Sequence, residues 1–443
     1  MNIMSWQASD SYDKISEYVM PIGGKNMLRM IETFSGIGSQ TQALKNIGLD
    51  HEVVAISEWD VNAMYAYDIL HNGKQDLTPY RHYTKADLIE ELKHYTLSMD
   101  GKTPMSERAV AALSASHLKA ILAAIRNNNN LVDITKIHAQ DLPDADILTY
   151  SFPCQDLSIS GFWHNRDSGG IDRDAQNKST LLWQIERILK EYVACDRDLP
   201  PFLLMENVSN ILSSRHIDNF REWQNFLSQL GYVNEVYTLD ARNFGVPQSR
   251  VRTYMISVLA RNEDERRLIE GYFFENSLEN VTCPEKERRS LAEYLKVDYT
   301  NPIYREEAIE STPEFTPSRK KIFEQNLVLA TGSVIDETLT ARTVTTKQDR
   351  HPNSGIVAYG NEIITPKNGH YRNLTPRECF LLMGFDEAQY DRLTQENIAV
   401  GKDKTILTAT KLIRMAGNSI VVQVLEAIFM QIRDLNEVLH KMR

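Results

Sequence analysis

Met30-Ile31-Glu32-Thr33-Phe34-Ser35-Gly36-Ile37-Gly38-Ser39 is an apolar run that ends in a glycine turn and opens onto a helical pattern. The run predicts a strand over 30–34, and the periodicity after it predicts a helix over 40–47. Further strands are expected at 52–56, 145–150, 202–205, 234–239 and 254–258. Periodic stretches at 61–70, 179–192 and 219–230 lie between them. Strand–helix alternation of this kind implies an α/β fold with a largely parallel sheet covered on both faces. The last two strands are joined by a stretch with no helical pattern, so they are expected to form an antiparallel hairpin at the sheet edge. Residues 105–126 read as one Ala-rich amphipathic scaffold helix opened by Ser106.

The 443 residues are 42% hydrophobic and 25% charged, which excludes disorder and fibre and allows two or three domains. Residues 27–260 form the first domain. After 261 the texture changes to scattered Pro, Thr, Asn and Gly, so 261–410 is read as a second, smaller and irregular domain. A last amphipathic helix at 421–435 returns to the earlier style, and 411–443 is expected to complete the first domain. Residues 1–26 receive no function. They carry Asp10, Asp13, Lys14 and Glu17 where a signal peptide needs an apolar core, and no window holds the roughly 18 uninterrupted apolar residues of a membrane span. A cytoplasmic protein without a membrane partner is therefore expected. Cys154, Cys195, Cys283 and Cys379 lie far apart, so neither a metal site nor a disulfide framework is indicated. A net charge of −11 argues against nonspecific coating of nucleic acid. Local exceptions exist at 241–252, with Arg242, Arg250 and Arg252, and at 341–380, where Arg342, Lys347, Arg350, Lys367, Arg372 and Arg377 outnumber the acids.

In an open parallel sheet, ligands sit beyond the carboxyl ends of the strands. Here Phe34, Gly36 and Gly38 form a turn whose backbone N–H groups suit a nucleotide-like ligand, although such a turn alone equally fits a nicotinamide dehydrogenase. About twenty residues on, the second strand ends in Glu58, an acid suited to ribose hydroxyls, and Trp59, an indole suited to adenine. Asp133 is either a ligand for the adenine amino group or a plain turn residue. Cys154, just past a strand end and stiffened by Pro153, is either a nucleophile or a small buried filler. Glu206 ends the next strand as a proton donor or a helix cap. Arg250 and Arg252, two apart, are expected on one side of an extended segment, to clamp a phosphate or orient a carboxylate. One sheet edge thus gathers a nucleoside turn, a thiol, a carboxylate and two cations, a set suited to covalent activation of an electron-poor ring.

In order and wording, FSGIG, SEW, SFPCQ, MENV, QSRVR, LTPRECFLLMGF and AGNSI resemble the bacterial cytosine-C5 DNA methyltransferases, from about Leu28 to Leu435. The resemblance implies a Rossmann-like S-adenosyl-L-methionine-dependent methyltransferase sheet plus a target-recognition domain, and a sequence-specific enzyme that leaves S-adenosyl-L-homocysteine as product. It implies that Phe34, Gly36, Gly38, Glu58, Trp59, Asp133, Ile134, Pro153, Leu181, Asn418 and Ser419 hold the cofactor. It likewise implies Cys154 as nucleophile on C6 of a flipped-out cytosine, Glu206 as acid at N3, and Arg250 with Arg252 as supports. Residues 155–179 correspond to a closing loop, with Ser158, Ser160 and Arg166 toward DNA. Target bases would be met around Thr338-Leu339 or Thr343-Val344. The second pair is favoured because Thr345, Lys347, Arg350 and His351 follow it. The partner is double-stranded DNA, a separately acting restriction endonuclease is compatible, and a monomeric bacterial or phage-encoded protein is expected. A tRNA cytosine-C5 methyltransferase is the alternative, and a catalytically dead binding module a third reading.

Overall fold

The computed structural model describes residues 27–153, 171, 181–284, 287–360, 369–402 and 404–443. Its main sheet takes strands β1 (Leu28–Thr33), β2 (His51–Ser57), β3 (Ile147–Tyr150), β4 (Phe202–Val208), β5 (Tyr232–Asp240) and, after the short β6 (Gln248–Ser249), β7 (Val251–Leu259). The order is β2-β1-β3-β4-β7-β5. The first four strands run parallel, and β7 is antiparallel to both β4 and β5. The expected edge hairpin is therefore present, with β5 outermost.

Alternation along the central strands sorts the core into two layers. Met30, Ile147, Phe202 and Leu204 join one apolar cluster, while their neighbours Ile31, Leu148, Leu203 and Met205 join the other. Successive strand side chains point to opposite faces, so a strand that is apolar at every position must be covered twice. Helices Leu182–Ala194 and Ile217–Gln229 cover one face, with Ile185, Leu189 and Trp223 inside. Helices Ser39–Asn46 and Val422–Met442 cover the other. The stretch Ala409–Met442 is long and apolar enough to cross a membrane by length and composition, but 67% of that window is buried in this core.

Three expectations are corrected. The helix read over 105–126 is two, Glu107–Ala111 and Ala115–Asn127, because Ser114 adopts an extended backbone and accepts the His117 N–H, which restarts the helix. Ser106 does cap the first of them. The last helix continues past 435 to Met442, with Leu439 buried against the core. The irregular texture does not begin at 261: helix Glu263–Glu275 inserts Ile269 and Phe273 into the same apolar cluster as Tyr237 of β5. Beyond it, a small sheet runs in the order Tyr371–Asn373, Ile356–Ala358, Val328–Thr331, Val334–Ile335. Leu329 and Val357 tie that sheet into the main cluster.

Candidate functional site

A cleft of about 250 Å³ opens at the carboxyl ends of β1 to β4. The glycine turn forms its first wall. Phe34 takes φ 54°, a left-handed value that costs a non-glycine residue energy and that concentrates at functional sites. Gly38, at φ 79°, meets a tighter limit, since any side chain there would overlap the Tyr67 and His71 rings. Burial drives His71 down to about 3, so its ring is neutral. Its Nε2–H donates to the Ile37 carbonyl at 2.9 Å, while Lys45 donates to Nδ1 at 3.3 Å. Below the turn, fully buried Glu32 accepts from the Thr41 hydroxyl at 2.6 Å and from Tyr67 at 3.1 Å. Burial pushes its carboxyl up to about 7.

The second wall is the end of β2. Glu58 accepts the Gly36 N–H at 3.0 Å and the Asp60 N–H at 2.7 Å, which fixes the acid against the turn. Burial, and then the neighbouring Asp60 charge, push it up to about 7. Asp60 caps helix Val61–Asn72 and ion-pairs with Arg414 of helix Ala409–Asn418, closing the cleft across 354 residues of sequence. Trp59, Asp133, Ile134, Pro153 and Leu181 also line the cleft, as do Asn418 and Ser419. Asp133 is at the same time a turn residue, its Oδ1 accepting from the N–H and the hydroxyl of Thr135. Ser419 sits 2.5 Å from Ser39, hydroxyl to hydroxyl.

At the far end Glu206 of β4 meets Arg252 of β7 at 3.3 Å, both side chains less than one-fifth exposed. Burial raises the Glu206 carboxyl above its usual range, opposed by Arg252 and Arg250. Asn207 reaches back to donate to the Phe152 carbonyl at 3.1 Å, which holds the Phe152-Pro153 segment on β4. Cys154, Ser158, Ser160, Arg166 and Thr180 lie outside the described residues. Among the described residues no cluster of His, Cys, Asp and Glu could hold a metal ion.

Two expectations of spacing change here. Arg250 and Arg252 do not share a target, because the chain leaves one ladder for another between them. β6 pairs with Ala341–Arg342, and β7 with β4 and β5. Arg252 turns to Glu206. Arg250 donates to three main-chain carbonyls, of Val344 at 2.9 Å, Gly417 at 3.1 Å and Ser419 at 2.6 Å. Val344 is also corrected as a DNA contact, since it is fully buried and its N–H donates to Gln248. Thr343 donates to the Ser249 carbonyl at 2.6 Å. Of the segment's candidates, Lys347, Arg350 and His351 are exposed. The residues that sequence reasoning missed are Glu32, Ser39, Asp60, Arg414 and Gly417. Asp60 alone carried a signal, an Asp directly before a helical pattern.

The C-5 cytosine-specific DNA methylase family matches residues 83–434 of this chain. Among curated proteins, the orphan methyltransferase M.SssI of Spiroplasma monobiae is 32% identical over 412 residues, covering 90% of this chain and 96% of that protein. The type II methyltransferase M2.ScrFI of Lactococcus lactis subsp. cremoris is 31% identical, covering 92% and 99% respectively. Among solved structures, a Dnmt2 methyltransferase of S. pombe superposes with a TM-score of 0.56 at 17% identity, over 93% of this chain and 100% of that one, a likeness of fold.

Proposed function

Because the chain belongs to the C-5 cytosine-specific DNA methylase family and is a DNA methyltransferase, we propose that its cleft transfers a methyl group from S-adenosyl-L-methionine to C5 of a cytosine flipped out of duplex DNA. The observation that carries this reading is a single cleft lined by the glycine turn with Glu58 at one end and by the Glu206–Arg252 pair at the other. The residues fit the cofactor. Glu58 is a rigid acceptor for ribose hydroxyls, Trp59 and Ile134 offer apolar surface to adenine, and Asn418 and Ser419 border the turn. When bound, S-adenosyl-L-methionine supplies an electrophilic methyl group.

The remaining steps fall to this chain's own residues. The Cys154 thiolate adds to C6 while Glu206, whose proton affinity burial raises, delivers a proton to N3. C5 thereby gains the electron density to take the methyl group. Loss of the C5 proton to water, expulsion of the thiolate and return of the N3 proton to Glu206 then restore the ring. Arg252 holds the Glu206 carboxyl in place and limits how far its proton affinity rises. The base must leave the stack to meet Cys154, and Ser158, Ser160 and Arg166 are assigned to DNA contact. The stretch that follows Glu275, up to residue 410, supplies target recognition, with Lys347 and Arg350 reaching the DNA from a loop that Thr343 anchors. The protein acts as a monomer on double-stranded DNA, independently of any restriction endonuclease.

The test is transfer of labelled methyl from S-adenosyl-L-methionine to unmethylated genomic DNA, with tRNA in parallel, followed by base-resolution sequencing. Methylated cytosines within one short DNA motif are expected. Label only in tRNA would reassign the substrate, and no label in either would refute the activity.

A further inference from the structure

Two stretches of main chain far apart in sequence converge on one guanidinium. Arg250, 4% exposed, holds the carbonyls of Val344, Gly417 and Ser419 together. Val344 begins the segment that runs through Thr345 and Thr346 to the exposed Lys347 and Arg350. Gly417 and Ser419 flank Asn418 on the cofactor wall of the cleft. A second contact reinforces the first. Gly417 lies so close to the recognition segment that a methyl group on it would come within 2.6 Å of the Thr345 carbonyl oxygen and overlap the Thr345–Thr346 peptide. The two backbones therefore touch with no side chain between them.

We infer that Arg250 and Gly417 fasten the DNA-recognition segment to the cofactor wall, so that cofactor and DNA each tighten the binding of the other. The inference rests on the proposed reaction, in which Asn418 and Ser419 meet the cofactor while Lys347 and Arg350 meet DNA. Arg250 is then a positioning residue, and its guanidinium is suited to the task. It is planar, with its donors fixed in a fork, so it cannot follow one carbonyl and keep the others unless all three move together. It is also buried and charged, so a lost carbonyl leaves an uncompensated donor, which makes the half-fastened state costly. Ordering of Ser419 by cofactor thus fixes Val344, and ordering of the segment by DNA fixes Ser419. Linkage requires the effect to be reciprocal.

The affinity for S-adenosyl-L-homocysteine is measured by calorimetry without and with a saturating duplex oligonucleotide that carries the motif mapped by sequencing. The wild type is expected to show a ratio of about fivefold or more, at the lower end of typical coupling. Arg250→Lys keeps the charge but not the fork, and Gly417→Ala separates the two backbones. Each should bring the ratio below about twofold, whatever it does to either affinity alone. Melting curves identify a variant that does not fold. Hydrogen exchange on the wild type then decides, since S-adenosyl-L-homocysteine alone must slow exchange in a peptide spanning 344–348. Unchanged exchange there, a wild-type ratio of one, or folded variants that keep the wild-type ratio would overturn the inference and leave the proposed function standing. A wild type that binds neither ligand would overturn the proposed function itself.

Discussion

Replacing Glu32 by Gln tests whether the glycine turn rests on a carboxyl that burial keeps near neutrality. In the folded chain this group has no exposed surface and titrates at about 7, against 4.5 for the unfolded reference. Desolvation is the leading cause, opposed by donors from Thr41 and Tyr67, the Gln40 backbone and the charge of Lys45. The sign follows from linkage. A carboxyl raised on folding favours the folded state below pH 4.5, and that contribution is lost as pH rises through 7. With those two values, ionisation of Glu32 costs the fold about 2 kcal/mol at pH 6 and about 3 kcal/mol at pH 8.5. Gln keeps the shape and an acceptor oxygen without the charge, so Glu32→Gln should gain about 1 kcal/mol relative to wild type over that interval. Urea titrations of both proteins at pH 6.0 and 8.5 measure it, on the alkaline side of the isoelectric point near 5.6. A stability difference that stays the same at both pH values within about 0.5 kcal/mol would refute the buried-acid argument, whatever its absolute size.

Gly38→Ala adds a left-handed cost of roughly 1–2 kcal/mol to an overlap with His71 and Tyr67; calorimetry should show S-adenosyl-L-homocysteine binding weakened by about tenfold or more. In single-turnover methyl transfer, Glu206→Gln should slow the chemical step by roughly 10²–10⁴, and Cys154→Ser should remove turnover while DNA binding persists in gel shifts. Normal turnover by the Cys154→Ser protein would discard the covalent mechanism. Arg414→Met leaves Asp60 without its cation beside Glu58, so both the melting temperature and cofactor affinity should fall; an unchanged cofactor affinity would show that Asp60 acts only as a helix cap.

The sheet was legible because its central strands are apolar at nearly every position and end in glycine or polar residues, a pattern that depends only on neighbours in sequence. The wall residues Glu58 and Trp59 were legible for the same reason, being fixed by a strand end. The double helix hidden in 105–126 was not, because Ser114 reads equally well as a surface residue within a helix and as a new cap; hydrogen bonding to His117 decides it. Glu32 gave no warning, since an acid inside a strand normally marks its exposed face. Only Tyr67 and Thr41, brought beneath β1 by the following helices, make it a buried one. The pairing of Arg414 with Asp60 has no local signature either, as the partners are 354 residues apart.

Arg250 shows how a correct reading of residue type can miss a residue's task. Spacing two promised a pair of cations aimed at one anion, but spacing fixes direction only while one ladder continues, and the ladder changes at this residue. The consequence reaches the chemistry. Glu206 is raised by burial and lowered by both arginines, and a proton donor works best when its affinity lies near the operating pH. Arg252 contributes by direct contact. Arg250 contributes from a position fixed by three carbonyls, two of them on the cofactor wall and one at the start of the recognition segment. If that fastening opened, Glu206 would lose part of the positive field that offsets its burial and would hold its proton more tightly. One buried guanidinium therefore joins the acid's proton affinity to the placement of the two segments that flank the cleft.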